Sequence, residues 1–121
     1  MAHVSKGAAG EVLAARFLRD AGYDVLAGNY RCRFGEIDII AADDEYIVFV
    51  EVKSREEDAY YLPREAVTAD KQRRIIRTAL LYMSKTNDPR QMRFDVIEVV
   101  TPKGEPLKAL DIHHIENAFG G

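Results

Sequence analysis

The sequence predicts an α/β fold in which a mixed β-sheet is flanked by α-helices. Helix-like and strand-like segments of this 121-residue chain follow the order α-β-β-β-α-β-β, and the third strand is apolar on both faces. A strand covered on both faces is typical of the centre of a sheet. Because the second helix separates two strands, we expect those strands to be parallel and joined by a right-handed crossover. The length suits one domain over residues 1–121.

Two segments have the composition and the boundaries of helices. The first, Lys6–Asp20, is rich in alanine and leucine and ends near Gly22, a residue suited to a helix C-terminus. The second, Ala69–Ser84, follows the N-cap candidate Thr68 and is stopped by Pro89.

Five segments are predicted to be strands because they are rich in β-branched and aromatic residues or lie between turn residues. The clearest is Tyr46–Lys53, with the sequence YIVFVEVK. Alternation puts Phe49, Glu51 and Lys53 on one of its faces. The predicted strands are Val25–Tyr30, Ile37–Ala41, Tyr46–Lys53, Met92–Val100 and a last strand within Leu107–Ile115.

Composition excludes several classes of protein. Hydrophobic residues make up 47% and charged residues 31% of the chain, which argues against disorder. No apolar run approaches the roughly 20 residues that cross a bilayer, and the N-terminus lacks the apolar region of a secretory signal. The single cysteine, Cys32, excludes an internal disulfide. We therefore expect a cytoplasmic protein without membrane contact.

The net charge of −3 counts mildly against a nucleic-acid binder, which usually has a basic surface. The charges are unevenly distributed, however. The segment Lys71–Arg77, KQRRIIR, contains one lysine, three arginines and no acid. A bound divalent metal would also offset some of the carboxylates.

Two carboxylates occupy positions where a charge is costly or unexpected. Glu11 lies inside the apolar arc of the first helix, where it needs a partner, a proton or a metal. Alternatively, the flanking alanines leave it room to reach solvent, or it caps a helix that begins later. Glu51 emerges from a buried strand, although a strand that simply ends in polar residues is an alternative.

The register of a predicted hairpin brings a third carboxylate to Glu51. If the second and third strands turn near Asp44 and Glu45, residues whose numbers sum to 89 pair, and Asp38 faces Glu51. Their Cβ atoms would lie about 5 Å apart. Two carboxylates that close repel each other unless a cation lies between them. A shift of one residue would remove this argument.

Such a cluster suits Mg²⁺ or Mn²⁺, which prefer oxygen ligands. A metal there could polarise a phosphoryl oxygen and orient a water, and Lys53 could stabilise the developing charge. The three histidines are too few and too distant from the acids for a zinc set, and His113 and His114 are interpreted as surface or packing residues.

The order Glu11, Asp38 and Glu51-Val52-Lys53 resembles the PD-(D/E)xK nuclease superfamily, although no proline precedes Asp38. More closely, nearly the whole chain resembles the bacterial YraN-like family of uncharacterised proteins (UPF0102). That resemblance implies a restriction-endonuclease-like fold, similar to that of archaeal Holliday-junction resolvases, which are dimeric, metal-dependent endonucleases. The matching stretches include Gly10-Glu11, Asn29-Tyr30-Arg31, Gly35-Glu36-Ile37-Asp38, Phe49-Val50-Glu51-Val52-Lys53 and Phe94-Asp95-Val96.

The resemblance also implies roles for individual residues. Glu11, Asp38 and Glu51 would be metal ligands together with the Val52 carbonyl, and Lys53 would be the catalytic lysine. The implied activity is hydrolysis of phosphodiester bonds in DNA, with branched DNA among the candidate substrates, by a homodimer that uses Mg²⁺ or Mn²⁺. The alternatives are a non-catalytic nucleic-acid-binding module with the same fold and a structural protein whose acids form only salt bridges.

Further charged residues are assigned by their positions. Lys71 is unfavourable for the helix dipole in the first turn of the second helix, which suggests a phosphate contact or support of the site. Glu36 is interpreted as a surface acid at a strand start, in preference to an accessory ligand. Tyr60 and Tyr61 are interpreted as loop-packing residues in preference to base-stacking ones. Arg73, Arg74 and Arg77 are most simply a solvated helix face, although such a basic surface would also suit the sugar-phosphate backbone. If the chain binds nucleic acid, the residues predicted to contact it are Arg55, Lys71, Arg74 and Arg77.

Overall fold

The computed structural model of the protein describes residues 5–58 and 67–120. Within these residues the elements follow the predicted order. No helix in this part of the chain has both the length and the apolar character needed to cross a bilayer. The helices are α1 (Lys6–Asp20) and α2 (Ala69–Thr86), and the strands are β1 (Asp24–Cys32), β2 (Gly35–Ala42), β3 (Tyr46–Glu56), β4 (Gln91–Thr101) and β5 (Asp111–Phe119).

The five strands form one mixed sheet in the order β1-β2-β3-β4-β5, which confirms the predicted α/β class. Among the four ladders of the described residues, the one between β3 and β4 is parallel, and α2 connects these two strands. The predicted hairpin register is also confirmed, since Ile40 pairs with Phe49 and Ile39 with Val50. The carboxylates of Asp38 and Glu51 therefore come from positions just beyond the last pair of this ladder.

Each face of the sheet carries its own hydrophobic core. On the α2 side, Ile47 and Phe49 of β3 pack with Ile75. On the α1 side, Val48 and Val50 pack with Leu18. Strand β3 is therefore buried on both faces, as its sequence predicts, and burial of each such side chain contributes about 1.5–3 kcal/mol.

The alternation of β2 breaks at Asp38. Ile37 belongs to the α2-side core and Ile39 to the α1-side core, although residues two apart in a regular strand share a face. Opposite this point, β1 contains Asn29 in a left-handed conformation with φ 51°. The irregularity frees the Asp38 side chain from either core.

Both helices begin at a capping side chain, of which Thr68 is the predicted one. The Ser5 hydroxyl accepts a hydrogen bond from Ala8 N at 3.1 Å, and Thr68 Oγ1 accepts one from Lys71 N at 3.2 Å. Helix α2 runs two residues beyond the predicted Ser84 and ends at Asn87, which adopts the left-handed conformation of a helix C-cap.

Helix α1 lies unusually close to β3 at Gly10. A Cβ atom at this position would lie 1.8 Å from Ser54 Oγ and 3.2 Å from Ser54 Cβ. A side chain at position 10, next to Glu11, would therefore displace the Ser54 hydroxyl and press on Ser54 Cβ.

The last strand differs from its prediction. It begins at Asp111 and ends at Phe119, four residues later at each end than expected. Pairing with β4 extends it through the polar sequence around Glu116, with Phe119 stacked on Phe94 at 5.4 Å. A left-handed Asn117 accompanies the register shift in this ladder, a feature that strand propensity does not reveal.

Candidate functional site

Three elements bring the predicted acids together at two adjoining clefts. Glu11 comes from α1, Asp38 from β2 and Glu51 from β3. The larger cleft, of about 650 Å³, is lined by Glu11 and Asp38, and the smaller, of about 410 Å³, by Asp38 and Glu51. Glu36 and Asp38 line both clefts, so Asp38 lies at the point where they meet.

Asp38 has few partners for its charge. Its Oδ2 accepts a hydrogen bond from Val52 N at 2.8 Å. Burial and then the charge of Glu51, with a smaller contribution from Glu11, raise the pKa of Asp38 to about 7, and the Val52 hydrogen bond only partly opposes them. A carboxyl group in this state would gain from any cation that enters the site.

Glu36 lies in the same group of acids, and its side chain, 38% exposed, also pairs with the exposed Arg31 at 3.2 Å. Carboxylate oxygens of Glu11, Glu36 and Asp38 all lie within 4.8 Å of one another. Burial, followed by the charges of Glu36 and Glu51, raises the pKa of Glu11. Glu36 and Asp38 are two residues apart in one strand, so alternation alone could have placed them on one face.

Asn29 connects two members of this group. Its amide nitrogen, when directed at the acids, donates to Glu36 Oε1 at 2.9 Å and to Glu11 Oε1 at 2.7 Å. The left-handed backbone at Asn29, a conformation that asparagine adopts more readily than most residues, directs the side chain there. We call Glu11, Glu36, Asp38 and Glu51 the acid cluster.

Two lysines flank the buried Glu51. Lys71 Nζ lies 2.5 Å and Lys53 Nζ 3.6 Å from Glu51 Oε1. Burial and the neighbouring Lys71 lower the pKa of Lys53. Burial would also lower the pKa of Lys71, but its hydrogen bond to Glu51 outweighs this and raises the pKa. The structure therefore places Lys71 beside the acid cluster, in contact with Glu51.

The donor set of the acid cluster fits a hard divalent cation. Three carboxylates within 4.8 Å offer only oxygen ligands, and Asp38 and Glu11 carry raised pKa values that a cation would reverse. Val52 lines the larger cleft, and its N–H donates to Asp38. The predicted role of its carbonyl as a ligand stays a prediction.

The arginines predicted to contact nucleic acid have different surroundings. Arg55 Nε pairs with the buried Glu98 at 3.1 Å. Arg74 lines the smaller cleft and pairs with the exposed Asp70 at 2.8 Å, while Arg77 is exposed on the same helix. Arg74 thus borders the site, Arg77 lies beside Phe34, and the Arg55 charge is directed to a buried acid.

A second group of charged residues, on the α1 side of the sheet, is not predicted by the sequence analysis. The Arg93 guanidinium donates to both oxygens of the fully buried Asp95, at 3.0 and 2.8 Å, and to Tyr23 Oη at 2.7 Å. His114 Nε2 lies 2.7 Å from Asp95 Oδ2, and Asn117 N donates to Asp95 Oδ1 at 2.9 Å. We call these five residues the buried network.

His113 and His114 lie at surface and packing positions, as the sequence analysis predicts. His114 packs in the buried network, with Phe17 against its ring at 5.9 Å. His113 is exposed and pairs with Asp111 at 3.0 Å. The prediction for Tyr60 and Tyr61 lies outside the described residues.

Comparison with known proteins gives one consistent family. The profile described as "Uncharacterised protein family UPF0102" matches residues 10–99, which include the acid cluster and Lys53. A UPF0102 protein of Nocardia farcinica is 49% identical over 115 residues, covering 93% of this chain and 87% of the relative. One from Syntrophus aciditrophicus is 55% identical over 100 residues, covering 81% and 79%. A third, from Symbiobacterium thermophilum, is 49% identical over 114 residues, covering 93% and 94%.

Proposed function

The chain belongs to the uncharacterised protein family UPF0102, and we propose that it is a divalent-metal-dependent endonuclease that hydrolyses phosphodiester bonds in DNA. The observation that carries the proposal is the convergence of four carboxylates and two lysines around Asp38 and Glu51 at the two clefts. A protein that only binds phosphates gains nothing from acids placed where the phosphates approach.

The acid cluster would hold Mg²⁺ or Mn²⁺ through Asp38, Glu11 and Glu36, with Glu51 beside them. When bound, the metal would polarise a phosphoryl oxygen and lower the pKa of a water. Asp38 is the residue best suited to this role, because it lines both clefts and its carboxylate accepts a hydrogen bond from Val52 N but has no cationic partner within 4 Å among the described residues.

Lys53 would act on the reacting phosphate. Its ammonium group is partly buried next to Glu51, where a positive charge can stabilise the negative charge that develops on phosphoryl oxygens. Its lowered pKa also brings proton transfer to or from a water closer to neutral pH than for an ordinary lysine.

Lys71 would position Glu51. The contact of 2.5 Å holds the Glu51 carboxylate near Asp38 and Lys53 and offsets part of the repulsion among the acids. This role explains why a lysine occupies the first turn of α2 despite the unfavourable helix dipole.

The test is cleavage of a labelled panel of single-stranded, duplex, flap and four-way-junction DNA in Mn²⁺, Mg²⁺ or EDTA. We expect metal-dependent cleavage that Asp38→Asn abolishes and that Lys53→Gln reduces by about 10²–10³-fold, the usual effect of removing one charge-stabilising donor. Asp44→Asn, an exposed residue at the turn between β2 and β3, is the matched control and should cleave normally.

Absence of cleavage by folded wild-type protein on every substrate, with DNA binding that neither metal nor Asp38→Asn changes, would overturn the nuclease. That result would favour the non-catalytic nucleic-acid-binding module.

A further inference from the structure

The tip of the β1–β2 hairpin carries two positive charges on one aromatic ring. The Cζ atoms of Arg33 and Arg77 lie 4.8 and 5.9 Å from the centroid of the Phe34 ring. Within residues 5–58 and 67–120, no carboxylate lies within 4 Å of either guanidinium. Two like charges thus lie against one ring without a carboxylate of the described residues within 4 Å, an arrangement that an anion would stabilise.

The hairpin tip is fixed against α2. Cys32 Sγ lies 3.5 Å from Thr78 Oγ1, and Phe34 N donates to Cys32 Sγ at 3.4 Å. A Cβ on Gly35 would lie 3.3 Å from Arg74 Cβ, so the strand start lies directly against the helix. These contacts hold the half-buried Phe34, which belongs to neither hydrophobic core, beside the arginines of α2.

The smaller cleft leads from the acid cluster to this tip. Gly35 and Arg74 line it together with Asp38, Glu51 and Lys71. A polyanion that presents one phosphate to the acid cluster would therefore extend past Arg74 toward the hairpin tip.

We propose that Arg33 and Arg77, positioned by the Phe34 ring, form a phosphate clamp that holds the nucleic-acid backbone to one side of the acid cluster. The ligand is the sugar-phosphate backbone, because a guanidinium fork matches phosphate oxygens and carries no sequence information there. The inference rests on the proposed function in taking nucleic acid as the substrate.

The test is the salt dependence of DNA binding, measured by fluorescence anisotropy with a labelled single strand and a labelled duplex in Ca²⁺ and again in EDTA. Each phosphate contact that is lost lowers the slope of log Kd against log salt by about one. We expect that decrease for Arg33→Gln and for Arg77→Gln. Lys108→Gln, an equal charge change in an exposed loop next to β5 at the opposite edge of the sheet, should leave the slope unchanged.

The variant Phe34→Leu distinguishes the contribution of the aromatic ring to binding from that of the two arginine charges. It keeps both arginines and an apolar side chain, so we expect weaker binding with a slope like that of wild type. Slopes unchanged in both arginine variants would overturn the clamp, as would absence of binding by wild type. Loss of single-strand binding in Phe34→Leu alone would also overturn it, in favour of base stacking.

Cleavage in Mn²⁺, assayed on the same proteins, separates this inference from the proposed function. Arginine-dependent slopes without cleavage would support the clamp and overturn the nuclease. Cleavage with slopes that do not change in the arginine variants would overturn only the clamp.

Discussion

Asp38 and Asp95 are the same residue type in two regions of one sheet, and their pKa values move in opposite directions. Burial and neighbouring carboxylates raise the pKa of Asp38 to about 7. Burial would raise the pKa of Asp95 too, but hydrogen bonds from His114 and Arg93 outweigh it and lower the pKa. Burial is common to both sites, so the partners make the difference.

The fold supplies hydrogen-bond partners for both carboxylate oxygens of Asp95, but it surrounds Asp38 mainly with other carboxylates. Both Asp95 oxygens have cationic or N–H partners within the fold. Asp38 has one backbone N–H and three nearby carboxylates. Carboxylates held close enough to repel one another are typical of functional sites, because a structural role alone does not offset their cost to the folded state.

The largest expected effect on stability is that of Asp95→Asn. It leaves the Arg93 charge buried without its partner, so we expect the free energy of unfolding to fall by about 3–5 kcal/mol. Urea denaturation at neutral pH measures this change. Asp111→Asn, an exposed aspartate on β5, is the control and should stay within about 0.5 kcal/mol of wild type. An equal effect of the two substitutions would show that the buried network contributes nothing special.

Asp38→Asn should have a smaller effect of opposite sign. Because the folded state holds the Asp38 proton more tightly than the unfolded state, this group lowers stability progressively as pH rises from about 4 to about 7. In metal-free protein at pH 8, the asparagine variant should therefore be more stable by about 1–2 kcal/mol.

The pH dependence of this difference is the discriminating measurement. The gain in Asp38→Asn should disappear near pH 4, where the wild-type carboxyl is protonated in both states. Asp95, with its lowered pKa, contributes in the opposite sense, since its stabilisation is present above its unfolded pKa and is lost as pH falls through the folded one. A variant less stable than wild type at every pH would contradict the comparison.

Metal binding should release protons only below about pH 7, which is the smallest of these effects. At pH 6 the Asp38 carboxyl is mostly protonated and must lose its proton to bind Mg²⁺ or Mn²⁺. Calorimetric titration in buffers of different ionisation enthalpy counts the protons. We expect close to one at pH 6 and almost none at pH 8.5, and a count that does not change with pH would exclude Asp38 as a ligand.

Much of the acid cluster could be predicted because strand periodicity fixes it. Pairing of residues whose numbers sum to 89 brings Asp38 to Glu51, and the structure has that register. The sequence singles out Lys71 because a positive charge in the first turn of a helix is unfavourable for the helix dipole. In the structure the ammonium group of Lys71 contacts the Glu51 carboxylate.

Other features depend on contacts that no local pattern contains. Asn29 reaches Glu11 and Glu36 through a left-handed residue in β1. The buried network joins residues 70 positions apart, Tyr23 and Arg93, through tertiary packing alone. The true bounds of β5 likewise follow from its ladder with β4 and not from its own polar composition.

The close contact between Gly10 of α1 and the Ser54 side chain of β3 limits the distance between the helix and the strand beside the acid cluster. Glu11 is the only acid of the cluster carried by a helix, and a methyl group on the residue before it would displace the Ser54 hydroxyl and lie 3.2 Å from Ser54 Cβ. The distance between the Glu11 carboxylate and the carboxylates of the strands thus depends on how closely α1 packs against β3. A larger residue at position 10 would widen that spacing and alter which ion radius the acids suit, while every acid remained in the chain.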